Sequence, residues 1–457
     1  MAIEDDVLVI GGGLAGATAA LAAAERDAQV RLISYKQSTL RHASGLIDVL
    51  GYPSADLAAS GEAARADGGE RTDDGSRSTA DPRSAGGPLA DPFEALSDLP
   101  EGHPYERVGA DAVREALLFF DSVAGDAYRG GHTDANALVP THGGTVKPTA
   151  RYPAAVAPGL ASDRRDALLV GFETLPDFDA PLSAGHLEAA GVPFRTRGVT
   201  LRFPGIERDD AKVTRYAHLL DRNEAVDSGA GDAPARTALA EAVRPHLDGE
   251  GRVGFPPILG DDNHDVVRRD LEERLGVEVF EVPSGPPSLP GMRLEDLLYD
   301  AMADAGVRVT TGVPVVDYEA DGGDRIDRVL VDRKGRDVPY RADQYVLATG
   351  GLVGKGVRSE RDRVFEPIFD CHVAHAADRY DWFVDDAFGD HPFARFGLAV
   401  DRDLRPLDAD DDREFENLRA AGAVLGGYDF AAEKSGSGVS LATGYVAGRR
   451  AGEEVSG

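Results

Sequence analysis

The apolar positions fall first into a strand-like run, VLVI, then, past a glycine turn, into the alanine-rich helical stretch ATAALAAAERDA, and then into a second strand that ends at Ser34. A polar stretch, QSTLRHASGLIDVLGYP, completes residues 4–53. Order signals return at DPFEALSDLPEGHPYERVGADAVREALLFF, whose last part has the apolar spacing of an amphipathic helix. Beyond it DALLVGFETLPDF reads as a strand, SAGHLEAAG as a helix and GVTLRFP as a strand, a β-α-β alternation without a glycine fingerprint. From PGMRLEDLLYDAMADAG to QYVLATGG the pattern predicts a helix, a strand, an antiparallel meander turning at Asp321–Asp324 and Lys334–Gly335, and a buried strand. A short strand, a glycine-rich loop and a small-residue helix follow.

These elements, with glycine-rich turns after the first strand, after the meander and before the last helix, predict an α/β chain with a Rossmann-like FAD/NAD(P)-binding flavoprotein fold: a glutathione-reductase-like nucleotide domain with a β-meander, plus an inserted α/β substrate-side domain. The nucleotide domain takes residues 1–53, 291–368 and 416–457, and the substrate-side domain takes 93–290 with a return segment at 369–415. Residues 54–92 shift to Ala, Gly, Asp, Ser and Arg with scarcely an apolar anchor. Such a stretch buries too little surface to offset its ordering entropy and is read as a disordered insertion.

Charge changes the picture next. Among 457 residues, 80 are acidic and 49 basic, a net charge of −31, and the bases are six lysines against 43 arginines. An acidic, Asp-rich, Lys-poor chain is what an extreme halophile makes, with surface carboxylates keeping the protein hydrated. No basic stripe is available to neutralise phosphates, which excludes nucleic-acid binding. No apolar run approaches the ~20 residues that span a bilayer, and the first strand begins almost at Met1 with no room for a signal peptide. The expectation is a cytoplasmic protein, attached to a membrane only through a partner. Cys371 is the sole cysteine, so the chain builds neither a disulfide nor a cysteine-ligated iron–sulfur cluster, and no metal site is expected.

The candidate chemistry lies in three small-residue motifs. Gly11, Gly12, Gly13, Ala15 and Gly16 follow a hydrophobic strand and open a helix, which lets backbone N–H groups meet a pyrophosphate. Thr349, Gly350 and Gly351 end a later strand, where small residues let the chain pass beneath a dinucleotide. Gly436, Ser437 and Gly438 sit immediately before the last helix, whose N-terminal dipole stabilises negative charge on a reduced isoalloxazine; Gly422, Gly426 and Gly427 let the preceding loop approach. The set favours a flavin over a nicotinamide. An acid about 20 residues past the fingerprint normally holds the adenosine ribose, and Ser34 stands there instead. Either the site takes FAD with a tolerated substitution, or it takes FMN and no adenosine.

The stretches IGGGLAGATAA, QSTLRHASGLIDVL, HPYERVG, NALVPTHGGTVKPT, PSGPPSLPGMRL, VLATGG, EPIFD, FGLAVDRDLRP, NLRAAGAVLGGYDF and SGSGVSLATG together resemble the B-subunit family of the anaerobic, three-subunit glycerol-3-phosphate dehydrogenases. The likeness spans nearly the whole chain outside Ser54–Pro92. It implies FMN as cofactor, with FAD the alternative, and a role in oxidising glycerol 3-phosphate to dihydroxyacetone phosphate. It also implies an FAD-containing A subunit, an iron–sulfur C subunit that provides membrane attachment, and a quinone as the final electron acceptor.

Such a reaction needs a base for the C2 hydroxyl and a clamp for the phosphate. The candidate bases are His42 and His142 foremost, with His372 and His375; the candidate anion donors are Lys147, Arg151, Arg293 and Arg395. Ser44 and Gly45 join His42 in a flavin-proximal element after the second strand. Two other readings stand beside this one: an independent fumarate-reductase-like flavin oxidoreductase, and a non-catalytic assembly or electron-relay component.

Overall fold

The computed structural model describes residues 3–36, 38–54, 87–207, 211–229, 231–387 and 389–456. Most of the insertion expected at 54–92 lies outside the described residues. The contacts divide the chain into two compact units, one made of Met1–Thr39, Asp48–Ala124 and Leu298–Gly457, the other of Leu40–Ile47 and Gly125–Leu297. Residues 93–124 and 369–415 thus cluster with the first unit.

The chain opens with β1 (Ile3–Ile10), α1 (Leu14–Ala24) and β2 (Val30–Ser34), and continues through the short α2 (Pro104–Val108) and α3 (Ala110–Ala124). The second unit runs β3 (Ala167–Phe172), α4 (Ala180–Ala189), β4 (Thr196–Leu201), α5 (Val213–Arg222), α6 (Ala235–Val243), β5 (Arg252–Phe255), α7 (His264–Leu275) and β6 (Glu278–Glu281). Helix α8 (Leu289–Asp304) leads on to β7 (Arg308–Thr311), β8 (Val315–Ala320), β9 (Ile326–Asp332), β10 (Asp337–Leu347), β11 (Leu418–Ala420), α9 (Phe430–Glu433) and α10 (Gly436–Ser456).

In the first unit the sheet order is β7-β2-β1-β10-β9-β8, with β11 also on β10. Val7, Leu8 and Val9 are fully buried in succession, the mark of a parallel strand covered on both faces. The sequence pattern separates a meander from a later buried strand, but the two share β10. Residues Asp337–Tyr340 of β10 pair antiparallel with β9, and Tyr340–Leu347 pair parallel with β1. The strand starts exposed and half-buried at Asp337–Pro339 in the meander and ends fully apolar and buried in YVL.

The small-residue stripe along α1 has a packing cause. A Cβ added to Gly444, Gly448 or Gly452 of α10 would lie 2.4, 2.1 and 3.0 Å from the carbonyl oxygens of Ala15, Ala19 and Ala23. The two helices meet backbone to backbone, and only a small-residue stripe on each permits it.

The second unit carries an all-parallel sheet of order β4-β3-β5-β6. Alternation along β3 sends Leu168, Val170 and Phe172 to a core with Tyr216, Leu239 and Val267, and Ala167 and Leu169 to a core with Ala184 and Leu187. Arg252, fully buried, satisfies the carbonyls of Pro158, Leu160, Asp163 and Arg165.

Candidate functional site

Adjacent parallel strands β1, β10 and β11 each end in a glycine-bearing loop on the same edge of the first unit's sheet. The loops touch: a Cβ on Gly11 would stand 2.1 Å from Ala348 O, one on Gly351 2.5 Å from Ala423 O, and one on Gly422 2.6 Å from the Ala15 Cβ. Ligands of open α/β sheets bind at such carboxyl edges.

The glycines of the first loop divide by role. Gly11 has φ +123° and Gly16 would place a Cβ 1.9 Å from Gly11 O, so both are needed by the chain's own turn. A Cβ on Gly12 would press on the Tyr299 hydroxyl and Ser34. Gly13 would meet nothing closer than Thr39 Oγ1 at 3.6 Å. It is the N-cap of α1, with no side-chain cap and no acidic residue in the first turn, so no side chain of the helix competes there with a pyrophosphate.

Ser34 Oγ donates to Lys36 O at 2.8 Å, which leaves its lone pairs to accept, the capacity a carboxylate there would offer a ribose hydroxyl. The Tyr299 hydroxyl donates to Gly12 O at 3.2 Å beside it. Thr349 Oγ1 is buried without a hydrogen-bond partner on the middle loop, and Gly350 takes φ +85°. An open α1 terminus, an acceptor at Ser34 and an orphaned hydroxyl at Thr349 are a donor and acceptor set that fits FAD.

The third loop serves the chain as well. Gly426 would clash with Arg395 O and Gly397 O, and Gly427, at φ +83°, with Gly102 O. Gly436, Ser437 and Gly438 form the first turn of α10 rather than preceding it, because Ser435 O accepts the Val439 N–H. Ser437 Oγ accepts the Asp48 N–H at 2.7 Å, and Gly438 leaves room for Asp48 O and the Tyr105 hydroxyl.

The candidate bases and anion donors are scattered. In the second unit, His42 is exposed in a single 3-10 turn, and His142 is exposed on the hairpin loop between Ala137–Pro140 and Val146–Thr149, its N–H bonded to Pro283 O. Ser44 Oγ accepts from Leu46 N, and Gly45, at φ +76°, packs on Pro290. Lys147 lies on the second strand of that hairpin, and buried Arg151 bonds the carbonyl of Ala150. Arg293 is committed to the Glu281 carboxylate at 2.6 Å and to Gly260 O; burial pulls its guanidinium down, but Glu281 together with Asp261 and Asp221 holds it above its ordinary value. In the first unit, Arg395 pairs with Asp390 at 2.8 Å. His375 accepts from Val364 N and donates to Val373 O, and the His372 N–H is bonded to Glu414.

A buried polar group in the first unit has no counterpart among the candidates from sequence. His103, Tyr105, Tyr428, Glu433 and Ser435 are all at most 3% exposed. Their signal was present in HPYERVG and GGYDFAAEKSG, where polar residues sit at positions the fold buries.

A family model described as an FAD binding domain matches residues 6–439. It corrects the cofactor implied by the resemblance: the flavin is FAD, the alternative, and not FMN, and at Ser34 a hydroxyl stands where the acid is usual. The chain is 59% identical over 456 residues to the B subunit of the probable anaerobic glycerol-3-phosphate dehydrogenase of Halobacterium salinarum (strain ATCC 29341 / DSM 671 / R1), covering 100% of this chain and 99% of the relative. It is 30% identical over 453 residues to the B subunit of the anaerobic glycerol-3-phosphate dehydrogenase of Pectobacterium atrosepticum, covering 95% and 96%. Among solved structures, a 3-ketosteroid-Δ4-(5α)-dehydrogenase from Rhodococcus jostii RHA1 matches with TM-score 0.39 and 13% identity, covering 100% of this chain and 97% of that one. The fold is that of an α/β FAD-binding oxidoreductase.

Proposed function

The chain belongs to the B-subunit family of the anaerobic glycerol-3-phosphate dehydrogenases, and on that premise we propose that it is the FAD-carrying B subunit of a respiratory complex that oxidises sn-glycerol 3-phosphate to dihydroxyacetone phosphate. The observation that carries this is the 59% identity sustained over 456 residues. Its partners in this reading are an FAD-containing A subunit and an iron–sulfur C subunit that passes electrons to a quinone; with a single cysteine, this chain needs the cluster elsewhere. No helix among the described residues is long and apolar enough to cross a membrane, so attachment to the inner face falls to a partner.

Within the chain we assign residues 1–53, 291–368 and 416–457 to a glutathione-reductase-like nucleotide domain, and 93–290 with 369–415 to a substrate side, of which 93–124 and 369–415 cluster with the first unit. Gly13 and the start of α1 hold the pyrophosphate, Ser34 the adenosine ribose, Thr349–Gly351 the underside of the dinucleotide, and the first turn of α10 the pyrimidine end of the ring. FAD supplies the two-electron acceptor. His42, with Ser44 and Gly45, is the first candidate to take the C2 hydroxyl proton, His142 the second, and Lys147 and Arg151 are the candidate phosphate donors.

A second reading has an observation of its own. Arg293 and Arg395, the other expected phosphate donors, are both engaged by carboxylates. That favours a relay role, with substrate held by a partner. The test is to purify the chain alone and the full complex in molar KCl, quantify released FAD, and follow bleaching of the flavin absorbance by glycerol 3-phosphate. Bleaching of the lone FAD-loaded chain places the substrate site here. Bleaching confined to the complex supports the relay, and a chain without FAD overturns both.

A further inference from the structure

We infer that His103 and Glu433 form a positioning clamp for the FAD-facing first turn of α10. The inference rests on the reading of that turn as a flavin contact. His103 is the N-cap of α2, where its Nδ1 accepts the Tyr105 N–H at 3.0 Å. An accepting Nδ1 puts the proton on Nε2, which lies 3.2 Å from Glu433 Oε2 and donates to it. The same carboxylate oxygen accepts the Ser435 hydroxyl at 2.9 Å, and the Glu433 carbonyl accepts the N–H groups of Gly51 and Tyr52. Tyr105 donates to Val49 O at 2.7 Å, and Ser437 Oγ takes the Asp48 N–H. The α9–α10 junction is therefore tied at four points to residues 48–52 and 103, and Tyr105 ties those two segments to each other.

The clamp carries charge as well as position. Glu433 is buried, and its negative charge adds to burial in pushing the hydroxyls of Tyr105 and Tyr428 up. It lies three residues before α10, whose terminal N–H groups attract anions. A buried carboxylate there offsets part of the helix's pull on negative charge that develops in a bound ligand. Position and charge therefore act in opposite directions on FAD, and two substitutions separate them. In His103→Asn, a strong N-cap residue keeps the α2 cap but does not reach Glu433. In Glu433→Gln, an acceptor oxygen remains for His103 and Ser435 while the charge is gone.

The experiment titrates FAD into the apo chain in molar KCl, well below its melting temperature, and measures the midpoint potential of the bound flavin. His103→Asn should weaken FAD by about tenfold, ~1.4 kcal/mol. Glu433→Gln should bind at least as tightly as the wild type and raise the potential. If His103→Asn binds FAD within about twofold of wild type, or Glu433→Gln leaves the potential unchanged, the pair is merely structural and the inference fails. Should His103→Asn not fold, the potential of Glu433→Gln decides alone. A wild-type chain that takes up no FAD would instead overturn the cofactor reading beneath it.

Discussion

A Cβ on Gly16 would stand 1.9 Å from the carbonyl oxygen of Gly11, closer than any side chain tolerates. Gly13, three residues away, would meet only Thr39 Oγ1 at 3.6 Å. The two glycines therefore predict opposite phenotypes. Gly13→Val should melt close to wild type in its apo form yet retain no FAD, because the new side chain occupies the space left at the α1 terminus. Gly16→Val should cost ~3 kcal/mol or more and yield little folded protein. Thermal melts and the flavin released on denaturation check both, and full FAD occupancy in Gly13→Val would remove that glycine from the site.

Ser34 makes a finer test of the adenosine end. Its proton is given to Lys36 O, so only its lone pairs face a ribose. Ser34→Ala should weaken FAD by about 1 kcal/mol, the worth of one hydrogen bond. It also removes the anchor of the 34–36 turn, so FAD affinity is to be compared with apo melting temperature. A lower melting temperature at unchanged affinity would make the serine a turn residue only.

The first fingerprint, the β-meander and the parallel second sheet were legible because strand alternation and glycine spacing are local signals. The division of labour among Gly11, Gly13 and Gly16 was not, since it depends on what stands opposite each one. Nor was the engagement of Arg293, whose partner Glu281 lies 12 residues away at the end of a strand, or the burial of His103 with Glu433, 330 residues apart. Ser34 does mark a missing acid, but it is no sign of FMN. Sequence shows the lost carboxylate, whereas the lone pairs left by the Lys36 bond appear only in the fold.

Gly448 sets helix propensity against packing. Alanine is better than glycine in a helix interior by ~1 kcal/mol. At Gly448, however, its methyl would stand 2.1 Å from Ala19 O, a backbone atom that moves only if α1 moves. Packing should win, so Gly448→Ala is expected to lower stability by roughly 2 kcal/mol. A melting temperature at or above wild type would show that α1 and α10 separate easily.

Salt should act on the whole molecule. With a net charge of −31, self-repulsion is short-ranged near 1 M salt, where the Debye length is about 3 Å, and extends to about 30 Å at 0.01 M. Dialysis from molar KCl to millimolar buffer should lower the melting temperature steeply, and equimolar NaCl should rescue it. Equal melting temperatures across that range would mean that the carboxylates do not govern stability.

Glu366 gives stability a pH dependence of defined sign. Its side chain is fully buried, and burial pushes its carboxyl from 4.5 up to about 7, against the N–H groups of Phe369, Ile368 and Cys371, which pull it down. Between those two pH values the folded chain holds a proton that the unfolded chain has released, so this group's contribution to stability falls as pH rises through the window. The loss is of the order of 1–3 kcal/mol. Glu366→Gln gives up one acceptor for a backbone N–H, a cost that does not vary with pH, and removes the titration. The difference in unfolding free energy between wild type and Glu366→Gln should therefore favour wild type most near pH 5 and shrink or reverse by pH 8. Nearby Glu414 is also raised by burial, so wild type alone would not isolate the effect, but the difference between the two proteins does. Melts at fixed KCl across the window provide the check, and curves that stay parallel would show that Glu366 titrates alike in both states.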